Sequence, residues 1–298
     1  MTVIDVQQLQ KRYGDRAAVR DVTFSVERGE IFGIIGRNGA GKTTTVECVE
    51  GLRRADGGRV RVLGLDPGDP AVRQRLGVQL QESQLPDRIR VREAMELFAS
   101  FYSRPAPIAP LLEQLGFAEH GAQQYRRLSG GQKQRLSIAL SLVGSPEVAV
   151  LDELTTGLDP QARRDTWKLI GDIRDRGVTV LLVTHFMDEA ERLCDRIAVI
   201  DRGRTVAIDS PAGLIRRVPS GVTVTFQPSV PIEKCVLAAV PGVRSASAED
   251  GIWTVTGSGN LAHEVSTALA ARSVVPLALN IVQADLESAF VALTGEES

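Results

Sequence analysis

IFGIIGRNGAGKTTTVECVEG, residues 31 to 51, passes from an unbroken apolar run into a glycine-rich turn and then into a segment with helical spacing. The run IFGII offers no polar position to solvent, which suits a strand covered on both faces, as in a parallel sheet. The turn fits G-x-x-x-x-G-K-[ST] through Gly36, Gly41, Lys42 and Thr43. Glycines let the backbone turn its N–H groups inward around phosphate oxygens, and the helix that follows adds its positive N-terminal end. Lys42 is then expected to reach the β- and γ-phosphates, with the Thr43 hydroxyl ligating Mg²⁺.

A second stretch completes this reading. VAVLDELTTGLDP, residues 148 to 160, carries four apolar residues straight into Asp152 and Glu153. In a doubly wound sheet, ligands lie beyond the carboxyl ends of the parallel strands, so these acids are expected to face the bound nucleotide. Asp152 can hold Mg²⁺ directly or through water, and Glu153 can polarise the water that attacks the γ-phosphate.

Around these stretches the chain alternates. VTFSVE (22–27) and RVRVLG (59–64) read as strands with one apolar face, and VTVLLVT (178–184) as another buried strand. From about residue 82 to 145 the spacing is helical, with Val91, Met95, Phe98 and Tyr102 on one face. VPSG at 218–221 interrupts a helical segment, and residues 219–298 are expected to form a small α+β domain after a first domain of residues 1–218.

Composition narrows the context. With 35 basic and 37 acidic residues the formal charge is -2, which gives no whole-chain footprint for nucleic acid. Cys48, Cys194 and Cys235 are widely spaced and outside any metal-ligand pattern, as expected of reduced thiols in the cytosol. The start has no signal-peptide pattern, and no apolar run approaches the roughly 20 residues that span a bilayer. Work at a membrane would therefore need another chain for the span.

LSGGQKQRLSIALSLV, residues 128 to 143, adds a Ser129 cap, two glycines and a helix with Leu136, Leu140 and Val143 on one stripe. With this segment the first 215 or so residues resemble the ATP-binding subunit of ABC transporters, motif by motif and in order. The resemblance implies an α/β P-loop NTPase with a RecA-like core, an antiparallel β subdomain and a helical subdomain. It also implies that Tyr13 stacks on adenine and that Gly36, Asn38, Gly39, Ala40, Gly41, Lys42, Thr43 and Thr44 contact nucleotide in the Walker A loop. Gln81 is the implied Q-loop glutamine, touching Mg²⁺ and the attacking water. Ser129, Gly130, Gly131 and Gln132 belong to the implied signature, Asp152 and Glu153 to Walker B, Asp159 to the D-loop, and His185 is the implied switch histidine.

The same resemblance implies ATP and Mg²⁺ as cofactors and a head-to-tail pair of two such subunits, each ATP lying between one Walker A loop and the other chain's signature. It further implies a separate multi-span permease docked on the helical segment after Gln81, for which residues 84–101 are the candidate surface, and a cytoplasmic chain held at the inner face of the membrane through it. Finer wording, VQLQES with LDELTTGLDPQARR and the ending LESAFVALTG, looks like the daunorubicin-resistance type of bacterial drug-export ATPase. Export of a drug, antibiotic or lipid-like compound is the expectation; a soluble ABC-type ATPase acting on ribosome or DNA is the alternative. Arg37 and Leu154 stand where the family often has proline. No nucleic-acid partner is expected, and residues 219–298 are expected to serve regulation or dimer stability.

Overall fold

The computed structural model describes residues 1–79, 85–218 and 221–295. The chain divides into two compact units, Met1–Pro211 and Ala212–Ser298.

The first unit is built on one mixed sheet. Its strands are β1 (Thr2–Tyr13), β2 (Arg16–Glu27), β3 (Ile31–Ile35), β4 (Gly57–Val62), β5 (Leu76–Val78), β6 (Val148–Asp152), β7 (Thr179–Val183), β8 (Arg196–Asp201) and β9 (Arg204–Asp209). They lie in the order β4-β1-β2-β9-β8-β3-β7-β6-β5. The β4-β1-β2 edge is antiparallel, whereas β3 pairs in parallel with β7 and β8, and β6 with β5 and β7. Every residue of β3, β6 and β7 is buried, as their uninterrupted apolar runs require. Each fully buried Ile, Leu or Val there contributes about 1.5–3 kcal/mol relative to exposure. The consequence for function is positional: the carboxyl ends of β3, β6 and β7 are held side by side.

Between β5 and β6 the described residues form helices and no strand: Val91–Ala99, Ile108–Gln114 and Gly130–Leu142. Val91 and Met95 are fully buried, as their spacing predicts, but the first of these helices stops at Ala99, so Tyr102 lies beyond it. Leu97 and Phe101, on the other side, are 47% and 62% exposed.

The second unit is a four-stranded antiparallel sheet of β10 (Val222–Pro228), β11 (Val243–Glu249), β12 (Ile252–Gly257) and β13 (Pro276–Gln283), ordered β11-β12-β10-β13. Helix Leu261–Ala270 lays Leu261, Val265 and Leu269, one turn apart, into a core with Val224, Phe226, Trp253 and Val255. That is an α+β arrangement with its own core.

Candidate functional site

β3 ends at Ile35 and the helix Lys42–Val49 begins after a loop of six residues, so that loop must fold tightly. Two glycines make the fold possible. A Cβ on Gly36 would sit 2.3 Å from the Ile200 carbonyl oxygen, and Gly41 has φ of 103° with the Ala18 carbonyl 2.6 Å from where its Cβ would be. Lys42 is buried, and its Nζ donates to the carbonyls of Gly36 at 2.7 Å and Arg37 at 3.2 Å. Burial lowers the Lys42 pKa, against the pull of Glu153 and Asp152. Thr45, in contrast, spends its hydroxyl on the Gly41 carbonyl at 2.8 Å and serves the helix.

A cavity of about 580 Å³ opens over this loop. Tyr13, Asn38, Gly39, Gly41, Lys42, Thr43, Thr44 and Glu153 line it. Gly36 and Ala40 are buried behind the lining and shape the loop from inside. Arg16 and Ala18 also line the cavity and were not expected from the sequence; the only available signal was their place just after Tyr13, at the start of β2. Tyr13 is 42% exposed and flanked by Lys11 and Arg53, each within 6 Å of its ring centre.

At the end of β6, Asp152 is 7% exposed and its Oδ1 is buried without a hydrogen-bond partner. Burial, then the charge of Glu153, pushes its pKa up to about 6, while Lys42 pulls it down. A buried carboxylate oxygen with no partner fits a divalent cation. Among the described residues no cluster of three or more His, Cys, Asp or Glu could hold a metal by itself, so the cation would have to share its ligands with a phosphate.

Glu153 follows with φ of 47°, a left-handed conformation that costs a non-glycine residue of order 1 kcal/mol or more. Its N–H donates to the Val183 carbonyl at 2.9 Å, which ties the turn to β7. His185, just past β7, brings Nδ1 to 3.2 Å from Glu153 Oε1. Leu154 is fully buried, so at this position an apolar anchor stands where proline would have fixed φ. Leu154→Ala should cost about 2–5 kcal/mol; a thermal unfolding midpoint within a degree of the parent would contradict that anchoring role.

One acid was not expected here. Glu50, at the end of the Lys42–Val49 helix, has its pKa raised to about 8 by burial and then by the charges of Asp152 and Glu47. A raised carboxyl pKa means that folding takes up a proton, so stability is fullest below about pH 4.5 and falls as pH rises toward 8. Glu50→Gln should flatten that decline and leave the variant more stable than the parent at pH 8, by on the order of 1–3 kcal/mol. Parallel stability curves for the two proteins between pH 5 and pH 8 would refute this.

The signature residues lie elsewhere. Ser129 caps helix Gly130–Leu142: its Oγ accepts from the Gln132 N–H at 3.2 Å, and its own N–H donates to Gln132 Oε1 at 2.9 Å. Ser129, Gly130 and Gly131 line a separate cavity of about 420 Å³ together with Gly157, Asp159 and Gln161. Asp159 caps helix Pro160–Asp175, accepting from the N–H groups of Gln161 and Ala162, both at 2.9 Å. Those bonds hold its pKa down, the Ala162 bond most. The expected residues therefore fall into two groups, one around the phosphate loop and one around the signature. Gln81 lies outside the described residues.

Comparison with known proteins agrees with this geometry. A family model described as ABC transporter matches residues 19–156. A Nod factor export ATP-binding protein I of Ralstonia nicotianae is 36% identical over 99% of this chain and 94% of its own length. The protein of the same name from Burkholderia orbicola is 44% identical over 71% of this chain and 72% of its own. Among solved structures, an ATP-binding subunit of an ABC transporter has a TM-score of 0.65 at 27% identity, covering 72% of this chain and 92% of the other. The ATP-binding cassette MJ0796, in a dimeric post-hydrolysis state bound to ADP and Pi, has a TM-score of 0.61 at 25% identity, covering 70% of this chain and 98% of the other.

Proposed function

Because the chain belongs to the ABC transporter family, as an ATP-binding subunit that hydrolyses ATP, we propose that two copies close head to tail around two ATP molecules and drive export through a separate membrane permease. One observation carries the head-to-tail reading. Ser129, Gly130 and Asp159 line one cavity of the chain, while Lys42, Thr43 and Glu153 line another. Each cavity holds half of the groups that a triphosphate needs, and a second copy supplies the missing half to both at once.

Within such a site the residues divide the work. The loop N–H groups and Lys42 bind the β- and γ-phosphates, and Tyr13 stacks the base. Mg²⁺, when bound, neutralises phosphate charge at the position offered by Asp152 and the Thr43 hydroxyl, with Gln81 as a further ligand. Glu153 orients the attacking water and accepts its proton, and His185, in contact with Glu153 Oε1, steadies that carboxylate and reaches toward the γ-phosphate. Loss of the γ-phosphate removes contacts on both sides of the interface, so hydrolysis loosens the pair and turns chemistry into movement.

Export is supported by the relatives, which are named as Nod factor export proteins, and by the daunorubicin-type motifs of the sequence. The proposed cargo is a drug, antibiotic or lipid-like compound. Among the described residues no helix is long and apolar enough to cross a membrane, which agrees with a span supplied by the permease and a place at the inner membrane face. Leu97, on helix Val91–Ala99, and Phe101, just past its end, are exposed within residues 84–101 and supply an apolar footing for that permease. Replacing both with aspartate should reduce recovery of the chain with membranes at least tenfold while ATP affinity stays at the parent value. Unchanged recovery would remove these residues from the docking surface.

A further inference from the structure

A second cavity of about 580 Å³ lies between β4 and the segments on either side of it, and of its lining residues Arg53 alone, which flanks Tyr13, borders the nucleotide site. Five arginines line it, Arg53, Arg54, Arg59, Arg61 and Arg73, against a single lining carboxylate, Asp66; Arg59 and Arg61 also border a smaller cavity beside Asp5. The chain as a whole carries a formal charge of -2, so this is a local concentration of positive charge rather than a reflection of composition.

The partners of those groups matter more than their number. Arg53 Nε lies 3.2 Å from Glu47 Oε2, and Asp66 Oδ1 accepts from the Gly68 N–H at 2.9 Å. Among the described residues, Arg54, Arg59, Arg61 and Arg73 make no ion pair. Arg61 Nε is buried with no hydrogen-bond partner. A buried donor without a partner is an unmet cost unless a ligand or water meets it.

The backbone builds the cleft. In the edge strand β4, Val62 turns fully into the core while Arg59 and Arg61, two residues apart, project from the opposite face. Gly51, at φ of 74°, brings the turn that carries Arg53 and Arg54 against residue 67, where a Cβ would sit 2.4 Å from the Pro67 carbonyl oxygen. That contact closes one wall, and Arg73 adds charge from the helix Pro70–Arg73.

We propose that this cleft binds an anion carrying two or more phosphate groups. Guanidinium forks match phosphate oxygens two at a time, and several forks around one space favour a ligand whose negative charges are close together. The volume, within the usual range of small-ligand sites, leaves room beyond a single orthophosphate. A free polyphosphate and the headgroup of an anionic lipid share this chemistry, so the test has an arm for each.

The full-length chain is first saturated with MgADP, so that the phosphate loop is filled, and then titrated with pyrophosphate by calorimetry. Separately it is sedimented with vesicles of cardiolipin, whose headgroup carries two phosphates, in phosphatidylcholine. The parent should bind at least one of the two probes, more weakly as salt rises. The combined Arg54→Gln, Arg59→Gln and Arg73→Gln variant should lose at least tenfold in affinity, and the matching lysine variant should fall between, since it keeps the charge and loses the fork. MgADP affinity, equal in all three, reports that the fold is intact. Pyrophosphate binding identifies a soluble ligand as the source, and vesicle binding alone identifies a lipid headgroup. Binding of neither probe, or equal binding by the parent and the glutamine variant, would overturn the proposal.

Discussion

Glu153→Gln should keep ATP and lose turnover, with the hydrolysis rate falling on the order of 10²–10⁴-fold. The amide has nearly the same shape as the carboxylate and can still meet His185 across the 3.2 Å contact, but it cannot accept a proton from water. The left-handed backbone at Glu153 is pinned from both sides, by the Val183 carbonyl and by the buried Leu154, so the turn should survive the substitution. With the γ-phosphate uncleaved, its contacts persist and the ATP-bound pair should accumulate. Gel filtration with ATP should then report a dimer for the variant, whereas the parent returns to monomer as ATP is consumed. Hydrolysis by the variant at the parent rate would assign the base elsewhere.

Much of the fold could be read from the chain because burial on both faces leaves a plain mark. IFGII and VAVL are wholly apolar, TVLLV has only Thr179 at its start, whose hydroxyl accepts from the Gly29 N–H, and each is a fully buried parallel strand. β11 left no such mark, since after Val243 VRSASAE has only small or polar side chains around the buried Ala246 and is recruited by backbone pairing with β12. β8 and β9 are harder to read, although RIAVID and RTVAID flank the tight Arg202–Gly203 turn, because the charged residues at their ends interrupt the apolar run.

The candidate site divides in the same way. Gly36, Gly41 and Lys42 are legible because a phosphate loop demands those types at that spacing. The left-handed φ of Glu153 and the partial burial of Glu50 near Asp152 depend on contacts among β3, β6, β7 and the helix after the loop, and no local pattern encodes them. Arg16 enters the cavity by the path of β2 and carries no motif of its own.

The head-to-tail pairing is the central claim, and mixing two inactive variants tests it most directly. Lys42→Ala removes the ammonium from the phosphate loop. Gly130→Asp places a carboxylate at the signature helix, where a Cβ meets nothing within 4 Å, so the chain should fold and repel the incoming phosphate. Each variant alone should be nearly inactive, because every site in its dimer carries one defect. In a mixed dimer both defects fall in one site and the other site is intact, so an equal mixture should recover about a quarter of the parent ATPase activity. A mixture no more active than either variant alone would contradict the shared site, because it would mean that each chain completes its own.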